Sequence, residues 1–378
     1  FLKVDPNGTM NIRDKAALVQ NKENFTNSGI VTIERRTPEM NKYGVNFWGS
    51  PLTQNSNFTL GNLIPNVNYR YSFDLRTWGT DGHFVRETAA TVMQPAKGYI
   101  LEVPLTFPAQ NSGNRQSYLA NFIGTPNNGA INIPLYTTTR PETVADYSEL
   151  NNLISNPYPS AIDASKIIFD TRNAGKVDGT LYVWANFSGI SPDVDSPYYN
   201  PDYNQNYSKD DYIVMNIAGS VHPINPNLAQ TTYQYISSGQ GFFIKSLANN
   251  NTIVIDNSMR VKNENDVFYK NENKNSNGLQ TEYLKKEIEK DEFKQIWIDL
   301  HSNNKPVAQT LIGYHNSATN EYDNGLDSKI LGLKASDIYS INQNLKLAIQ
   351  TRNSFDENEI VPLGVIVDQS GDQTIKLA

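Results

Sequence analysis

The chain has 378 residues, a formal net charge of −7, 38% hydrophobic residues and no cysteine. The length suffices for two or three domains, and the acidic balance without a basic stripe argues against a nucleic-acid partner. The missing cysteine excludes a disulfide framework and any cysteine-ligated zinc site, and no apolar run approaches the roughly 20 residues that a membrane-spanning helix needs.

Residues 1–36 contain short apolar alternations separated by turn sequences such as Pro6-Asn7-Gly8. Strands this short and this closely spaced resemble the rungs of a parallel β-solenoid. Because a few rungs cannot bury a core alone, we expect them to end a longer stalk or to pack on the next domain. Two ordinary hairpins are the alternative interpretation.

Two stretches of roughly a hundred residues repeat one order of strand signals. In each, a first strand stops at a proline, an aromatic strand follows, and a glycine opens a last apolar strand. The segments are 41–52, 69–78 and 95–104 in the first stretch and 151–162, 179–187 and 238–246 in the second. The pattern predicts tandem β-modules, in which Gly98 and Gly241 allow a bulge or a positive φ where the last strand begins.

The predicted fold is all-β, with a short β-solenoid-like N-terminal segment followed by tandem antiparallel β-sandwich modules. The predicted units are the solenoid-like segment 1–36, a first module 37–145, a second module 146–262, and a charged linker with a third module 263–378. The third module is expected to be incomplete, because the sequence stops inside a strand-like run, Thr374–Ala378.

An ordered series of short motifs resembles a known family. The motifs are LISNPYPSAIDA, DGTLYVW, DDYIVMN, SGQGFFIK and DNSMR, followed by IWIDL, TLIGY, ATNEYDNGLD, LAIQTR and FDENEIVPLGV. In this order they resemble the C-terminal region of large surface proteins and adhesins of Flavobacterium-like Bacteroidetes, exported by the type IX secretion system. The resemblance implies a gliding-associated cell-surface protein whose partners include outer-membrane export and anchoring proteins. It supplies no catalytic residues, and the sorting domain that follows this region in the family is not in the sequence.

Few residues are suited to catalysis. The four histidines lack metal-ligand spacing and suit surface or strand-end positions, and no nucleophile elbow, phosphate loop or HExxH motif occurs. A glycoside hydrolase needs only two carboxylates, and the candidates near strand ends are Asp170, Asp178, Asp299 and Asp323. Since acidic residues at such places commonly cap turns, we predict a protein that is not an enzyme.

A long loop at 191–212, rich in tyrosine and aspartate, interrupts the second module. Loops of this length are usually functional or disordered. Alternate oxygen-bearing side chains could converge on one hard cation, for which calcium is the expected ion. The predicted metal ligands are Asp202, Asn204, Asn206, Asp210 and Asp211. A solvated loop is the alternative, because the glycine and glutamate of an EF-hand are missing; Asp323–Asp327 is a second candidate that a simple turn explains equally well.

Aromatic residues supply the predicted contact surface. Exposed rings stack on sugar faces or anchor protein interfaces with little loss of conformational entropy, unless they fold back over their own sheet. The candidate ligand-binding residues are Trp78, Tyr198, Tyr199, Tyr203 and Tyr207. In contrast, Trp48, Trp184 and Trp297 lie within strands and are expected in the core.

The sequence therefore predicts an extracellular adhesin or stalk that contacts a surface polysaccharide or a protein ligand. Two alternatives stay open. One is a secreted protein that binds or processes carbohydrate, and the other is a cargo region whose main partner is the export machinery.

Overall fold

A computed structural model gives the fold. It describes residues 1–79, 83–109, 113–138, 151–185, 199–200, 205–207, 211–221, 235–262, 264–265, 293–331, 336–367 and 370–378, with only the backbone at 199–200 and 205–206. The prediction of an all-β fold is confirmed, since strands dominate the described residues and the two α-helices are short. None of the helices described is long and apolar enough to cross a membrane.

The strands of the first part are β1 (Asn11–Ile12), β2 (Val31–Arg36), β3 (Val45–Trp48), β4 (Arg70–Phe73), β5 (Phe84–Arg86), β6 (Tyr99–Glu102), β7 (Leu119–Gly124) and β8 (Ile131–Leu135). Those of the second part are β9 (Asn151–Ser155), β10 (Ala161–Asp163), β11 (Val177–Trp184), β12 (Tyr199–Asn200), β13 (Gln205–Asn206), β14 (Tyr212–Asn216), β15 (Gly219–Val221), β16 (Tyr235–Ile236), β17 (Gly241–Ser246), β18 (Asn251–Ile255) and β19 (Arg260–Val261). Those of the third part are β20 (Lys294–Ser302), β21 (Lys305–Tyr314), β22 (Ser328–Lys329), β23 (Asp337–Asn342), β24 (Leu345–Arg352), β25 (Leu363–Ile366) and β26 (Gln373–Leu377). Helix α1 is Leu60–Leu63 and helix α2 is Ala164–Phe169.

The N-terminal segment has the parallel pairing expected of a solenoid-like coil. Strand β1 pairs in parallel with β2, and a second parallel bridge joins Lys3 to Ser28. The other edge of β2 pairs antiparallel with β7. The segment therefore packs on the next part of the chain, as its few rungs require.

The two predicted repeats have the same strand order. The first sheet runs β3-β6-β4-β5, and the second, read from its other edge, runs β9-β17-β11-β14 with β15 added. All these pairs are antiparallel. A short helix follows the first strand of each repeat, α1 after β3 and α2 after β9 and β10. In each repeat the first strand thus lies beside the last.

The repeats contact each other reciprocally. The Gly49 N–H, just after β3, donates to the Gly239 carbonyl before β17 at 2.8 Å. The Ser155 N–H, at the end of β9, donates to the Ala96 carbonyl before β6 at 2.9 Å. Both acceptors have positive φ, +69° at Gly239 and +61° at Ala96. The same contact is therefore made twice, once in each direction.

The glycines that open the last strands serve this contact, which corrects their predicted role. A Cβ on Gly98 would lie 2.6 Å from Leu153 Cγ, and one on Gly241 would lie 3.0 Å from Phe47 Cβ. Leu153 on β9 and Phe47 on β3 hold matching places in their repeats. Neither glycine has a positive φ. Each is required because the first strand of the opposite repeat passes directly over it.

The two sheets pack face to face around one apolar core. The Phe47 ring lies 5.7 Å from that of Trp184, 5.6 Å from Phe243 and 6.0 Å from Tyr212, all three on the second sheet. Strand β8 also pairs with β18 across the repeats. Trp48 and Trp184 are buried as expected. Each repeat therefore supplies one layer of a shared sandwich, while the boundaries predicted at 36/37, 145/146 and 262/263 stay predictions.

The third part forms a sheet in the order β25-β23-β24-β21-β20-β26, with β22 on β24. It docks on the second sheet through side-chain hydrogen bonds. The Tyr182 hydroxyl donates to the Lys329 carbonyl at 3.0 Å. The Trp297 indole N–H donates to the Ser220 carbonyl, also at 3.0 Å. Gly179 has φ +81°, and a Cβ there would lie 2.4 Å from Gly325 Cα. Trp297, expected in the core, is half-buried at this junction.

Candidate binding surface

Trp78 lies on the connection between β4 and β5, and its side chain is 51% exposed. The turn before it is fixed by Arg76, whose backbone N–H, Nε and Nη2 donate to the Asp74 carboxylate at 3.0, 2.9 and 2.7 Å. These bonds hold the pKa of Asp74 below its usual value. The Thr77 N–H donates to the Asp74 carbonyl at 3.1 Å. These hydrogen bonds thus fix the backbone from Asp74 up to Trp78.

His83 supports Trp78 from inside. It is 3% exposed, and its ring meets the indole at 4.9 Å in a T-shaped contact. His83 Nδ1 lies 2.5 Å from the Thr77 carbonyl oxygen. Since a carbonyl oxygen only accepts, Nδ1 carries the hydrogen of this bond. The imidazole also contacts Phe73 at 5.6 Å, and Phe73 contacts Phe243 of the second sheet at 5.2 Å. Trp78 is thereby connected to the sandwich core through a series of ring contacts.

Arg76 also joins this loop to the end of β8. Its guanidinium carbon lies 4.2 Å from the centre of the Tyr136 ring, a cation–π geometry. The Tyr136 N–H donates to Asn152 Oδ1 on β9 at 2.9 Å. The loop of the first repeat is therefore held against the first strand of the second repeat, and Trp78 projects from that junction.

A second group of rings, which we call the aromatic strip, consists of Tyr69, Tyr71 and Phe84. Tyr69 and Tyr71 stack 6.2 Å apart with an interplanar angle of 3°, and Phe84 meets Tyr71 edge-on at 6.2 Å. The Arg86 guanidinium carbon lies 5.0 Å from the Tyr69 ring centre, and Phe84 is 42% exposed. Phe84 is the end of the strip that reaches solvent.

Glu102 is a buried carboxylate beside the backbone of Tyr69, 2% exposed. Burial raises its pKa to about 7, against the opposing effects of the backbone N–H groups of Asn68 and Tyr69 and of the Lys42 charge. Among the residues that the structure describes, neither carboxylate oxygen has a hydrogen-bond partner of normal geometry. These backbone N–H groups therefore lower the pKa of Glu102 only weakly. The loss of hydration on burial has the larger effect and favours the protonated carboxyl.

One protein family matches this chain over residues 1–378, which is its whole length. The chain belongs to the DUF8693 family. This family is described as a domain of unknown function. No curated protein and no solved structure matches the chain. The function therefore has to be argued from the site itself.

Tyr207 differs from its prediction as an exposed contact. Its side chain is half-buried, its hydroxyl donates to the Tyr43 carbonyl at 2.9 Å, and its ring lies 6.4 Å from that of Trp184. Burial raises its pKa. The ring folds back over its own sandwich because it fills the space beside Trp184 and satisfies a backbone acceptor.

The other tyrosine predictions stay untested. Tyr198 and Tyr203 lie outside the described residues, and Tyr199 lies in β12, of which only the backbone is described. Trp78 is the predicted contact residue whose side chain the structure places at the surface.

The predicted calcium ligands fall largely outside the described residues. This holds for Asp202, Asn204 and Asp210, while Asn206 lies in β13 with only its backbone described. Asp211 is buried, and its carbonyl accepts the Ala185 N–H at 2.8 Å. Within the described parts of the chain, no three histidine, cysteine or acidic side chains come together to hold a metal ion. Calcium binding stays a prediction.

The second candidate cation loop is explained by its own hydrogen bonds. Asp327 is fully buried, and its carboxylate accepts the Asp323 N–H at 2.8 Å and the Thr351 N–H at 2.6 Å. Burial raises its pKa to about 7. A carboxylate that bonds two backbone groups in this way fixes a turn, which is the simpler of the two explanations.

The carboxylates proposed for glycoside hydrolysis have separate partners. Asp170 pairs with Arg172, and Asp299 accepts a hydrogen bond from Gln309 Nε2 at 2.9 Å. The Asp178 carboxylate accepts the Thr180 N–H at 3.1 Å. Asp170 and Asp178 accept backbone N–H groups two residues further on, as turn-forming acids do, whereas Asp299 makes a cross-strand bond inside the β20–β21 pair.

Sequence reasoning missed Arg76 and the burial of His83. A local signal for Arg76 does exist, because Asp170-Thr171-Arg172 has the same Asp-x-Arg spacing and forms the same fork, with Arg172 N and Nε at 2.9 and 2.8 Å from the carboxylate. No local signal marks His83, although its partners Phe73, Thr77 and Trp78 lie within ten residues of it in the same hairpin.

The buried carboxyl of Glu102 leads to a test of pH dependence. Because its pKa is raised from 4.5 to about 7, the folded protein holds a proton that the unfolded chain releases. This contribution to stability is complete below pH 4.5 and is lost as the pH rises through about 7. We expect Glu102→Gln to gain at least about 1 kcal/mol of unfolding free energy relative to the unmodified protein between pH 5 and pH 8.

Urea unfolding at both pH values measures this gain, with the exposed Glu39→Gln as the matched control. The control should follow the unmodified protein at both pH values. Parallel pH profiles for Glu102→Gln and the unmodified protein would show that Glu102 titrates normally.

Proposed function

We propose that this chain is a non-enzymatic part of an extracellular cell-surface protein, an adhesin or its stalk, and that it makes contact through Trp78. The observation that carries the proposal is the exposed indole, 51% accessible, held by the buried ring of His83. A solvated large apolar side chain that is held rigidly is typical of an interface anchor.

The rigid support of Trp78 matters because binding costs conformational entropy. Ordering a mobile side chain at an interface costs roughly 0.5–1.5 kcal/mol, and a ring that is already fixed avoids much of this cost. Trp78 is fixed by the Asp74–Arg76 turn on one side and by His83 on the other. The sandwich below it supplies the stiffness that a displayed contact needs.

The surface location is supported by the motif series, which resembles type IX-exported surface proteins. Under this proposal, the export and anchoring proteins of the outer membrane are partners of the larger protein. Protease accessibility on intact cells tests the location: the chain should be cleaved in cells with an active export system and protected in cells that lack it. Equal protection in both strains would contradict it.

Contact through Trp78 is tested by attachment of beads that carry the purified chain. We expect Trp78→Ala to reduce attachment to glass, polysaccharide-coated or protein-coated surfaces by about tenfold or more, the effect of removing an interface anchor. Phe169→Ala is the matched control, since Phe169 is 55% exposed but lies at the end of α2. Unchanged attachment of Trp78→Ala, with an unchanged unfolding transition, would contradict the proposal.

A further inference from the structure

The loop that presents Trp78 also presents a pair of opposite charges that cancel each other. Arg76 Nε and Nη2 form a fork on the two oxygens of Asp74. The Arg76 side chain is 57% exposed and that of Asp74 21% exposed, so the pair remains accessible from solvent. Lys97, a further charge close enough to act on Asp74, pairs with Glu87 at 3.5 Å.

We propose that this surface binds a neutral polysaccharide, with one pyranose ring on the Trp78 indole and its hydroxyl groups on the Asp74–Arg76 pair. The inference rests on the proposed function, because it names the ligand class of the same contact surface.

The chemistry of the paired charges favours a neutral ligand. A carboxylate or sulfate group would have to compete with Asp74 for Arg76, and an ammonium group would have to compete with Arg76 for Asp74. A hydroxyl group both donates and accepts, so it can use the lone pairs left on Asp74 and the N–H groups of Arg76 Nη1, which the fork does not use. A sugar therefore gains hydrogen bonds without breaking the fork.

The indole supplies the complementary apolar contact. The C–H groups on one face of a pyranose form a flat apolar patch of about the size of one aromatic ring, and tryptophan offers the largest such surface among the side chains. Trp78 keeps 51% of its surface accessible even though His83 contacts it. The Arg76–Tyr136 contact fixes the position of the polar groups relative to the second repeat. Both halves of the contact are thus preorganised.

Affinity gel electrophoresis of the full chain tests the inference. The probes are neutral polymers (amylose, mixed-linkage β-glucan, xylan and galactomannan) and anionic polymers (alginate and polygalacturonate). We expect retardation in at least one neutral gel, insensitive to added salt because no net charge is paired. Trp78→Ala should weaken binding about 30-fold, Arg76→Gln about tenfold, and Trp78→Phe less than Trp78→Ala because it keeps a ring.

Phe169→Ala should bind like the unmodified chain, and unfolding transitions show whether each variant is folded. Retardation only in anionic gels, or neutral binding that survives Trp78→Ala, would overturn the inference, and the bead assay tests separately whether attachment depends on Trp78. Binding to none of the polymers would also overturn it, and the bead assay then separates the two claims. Trp78-dependent attachment to a protein-coated surface would keep the adhesive function, whereas attachment to no surface would end both.

Discussion

Truncating Phe47 to alanine is expected to lower the free energy of unfolding by about 3–5 kcal/mol. Phe47 belongs to the first repeat, yet its ring packs on Trp184, Tyr212 and Phe243 of the second, and it is 3% exposed. Removing it leaves a cavity between two sheets that cannot close without moving both. The loss should therefore affect both repeats together.

Denaturant unfolding followed by tryptophan fluorescence and far-ultraviolet circular dichroism measures this effect. Both signals should move together to lower denaturant in Phe47→Ala. The control is Phe169→Ala, an exposed ring of the same type, which should change the unfolding free energy by less than about 0.5 kcal/mol. Two separate transitions, with only the first shifted, would mean that the repeats unfold independently.

Replacing Gly179 with alanine is expected to cost about 3 kcal/mol or more, from two causes. Its φ of +81° is unfavourable for an L-residue by about 1–2 kcal/mol, and its new methyl group would lie 2.4 Å from Gly325 Cα at the junction with the third sheet. Backbone rather than a flexible side chain stands in the way, so the third sheet would have to shift.

Gly175→Ala is the matched control, because Gly175 has a similar φ of +69° but no atom of the described residues within 4 Å of the added Cβ. It should lose about 1–2 kcal/mol, the conformational part alone. The difference between the two variants in urea unfolding measures the steric part. Equal losses would show that the third sheet does not press on the second at Gly179.

Much of the fold could be predicted because its signals are local. Both repeats contain apolar runs of strand length, prolines that end these runs and turn residues between them. These features indicate the order of the strands along the chain. The role of Gly98 could not be predicted, because its cause is the approach of Leu153 from the other repeat. The same holds for the pairing of β8 with β18, which depends on how the two sheets meet.

The candidate site was predictable only in part, for the same physical reason. A tryptophan just before a hairpin tip is expected at the surface, and Trp78 is. Tyr207 lies in an equally polar stretch, yet its ring is held by Tyr43 and Trp184, which are distant in sequence. Composition around a residue indicates its solvation only when no distant strand reaches it.

The reciprocal bonds between the repeats, Gly49 to Gly239 and Ser155 to Ala96, have the form of an isologous interface. In a homodimer with a two-fold axis, every contact between two sites occurs twice in this way. Here the two halves are one polypeptide, so their association is intramolecular and independent of protein concentration. Each half could also change its side chains separately, and VNFW on β3 differs from the matching NNLI on β9 at three of the four positions. The two repeats thus contact each other as the subunits of a two-fold symmetric dimer do, but they cannot dissociate because one polypeptide joins them.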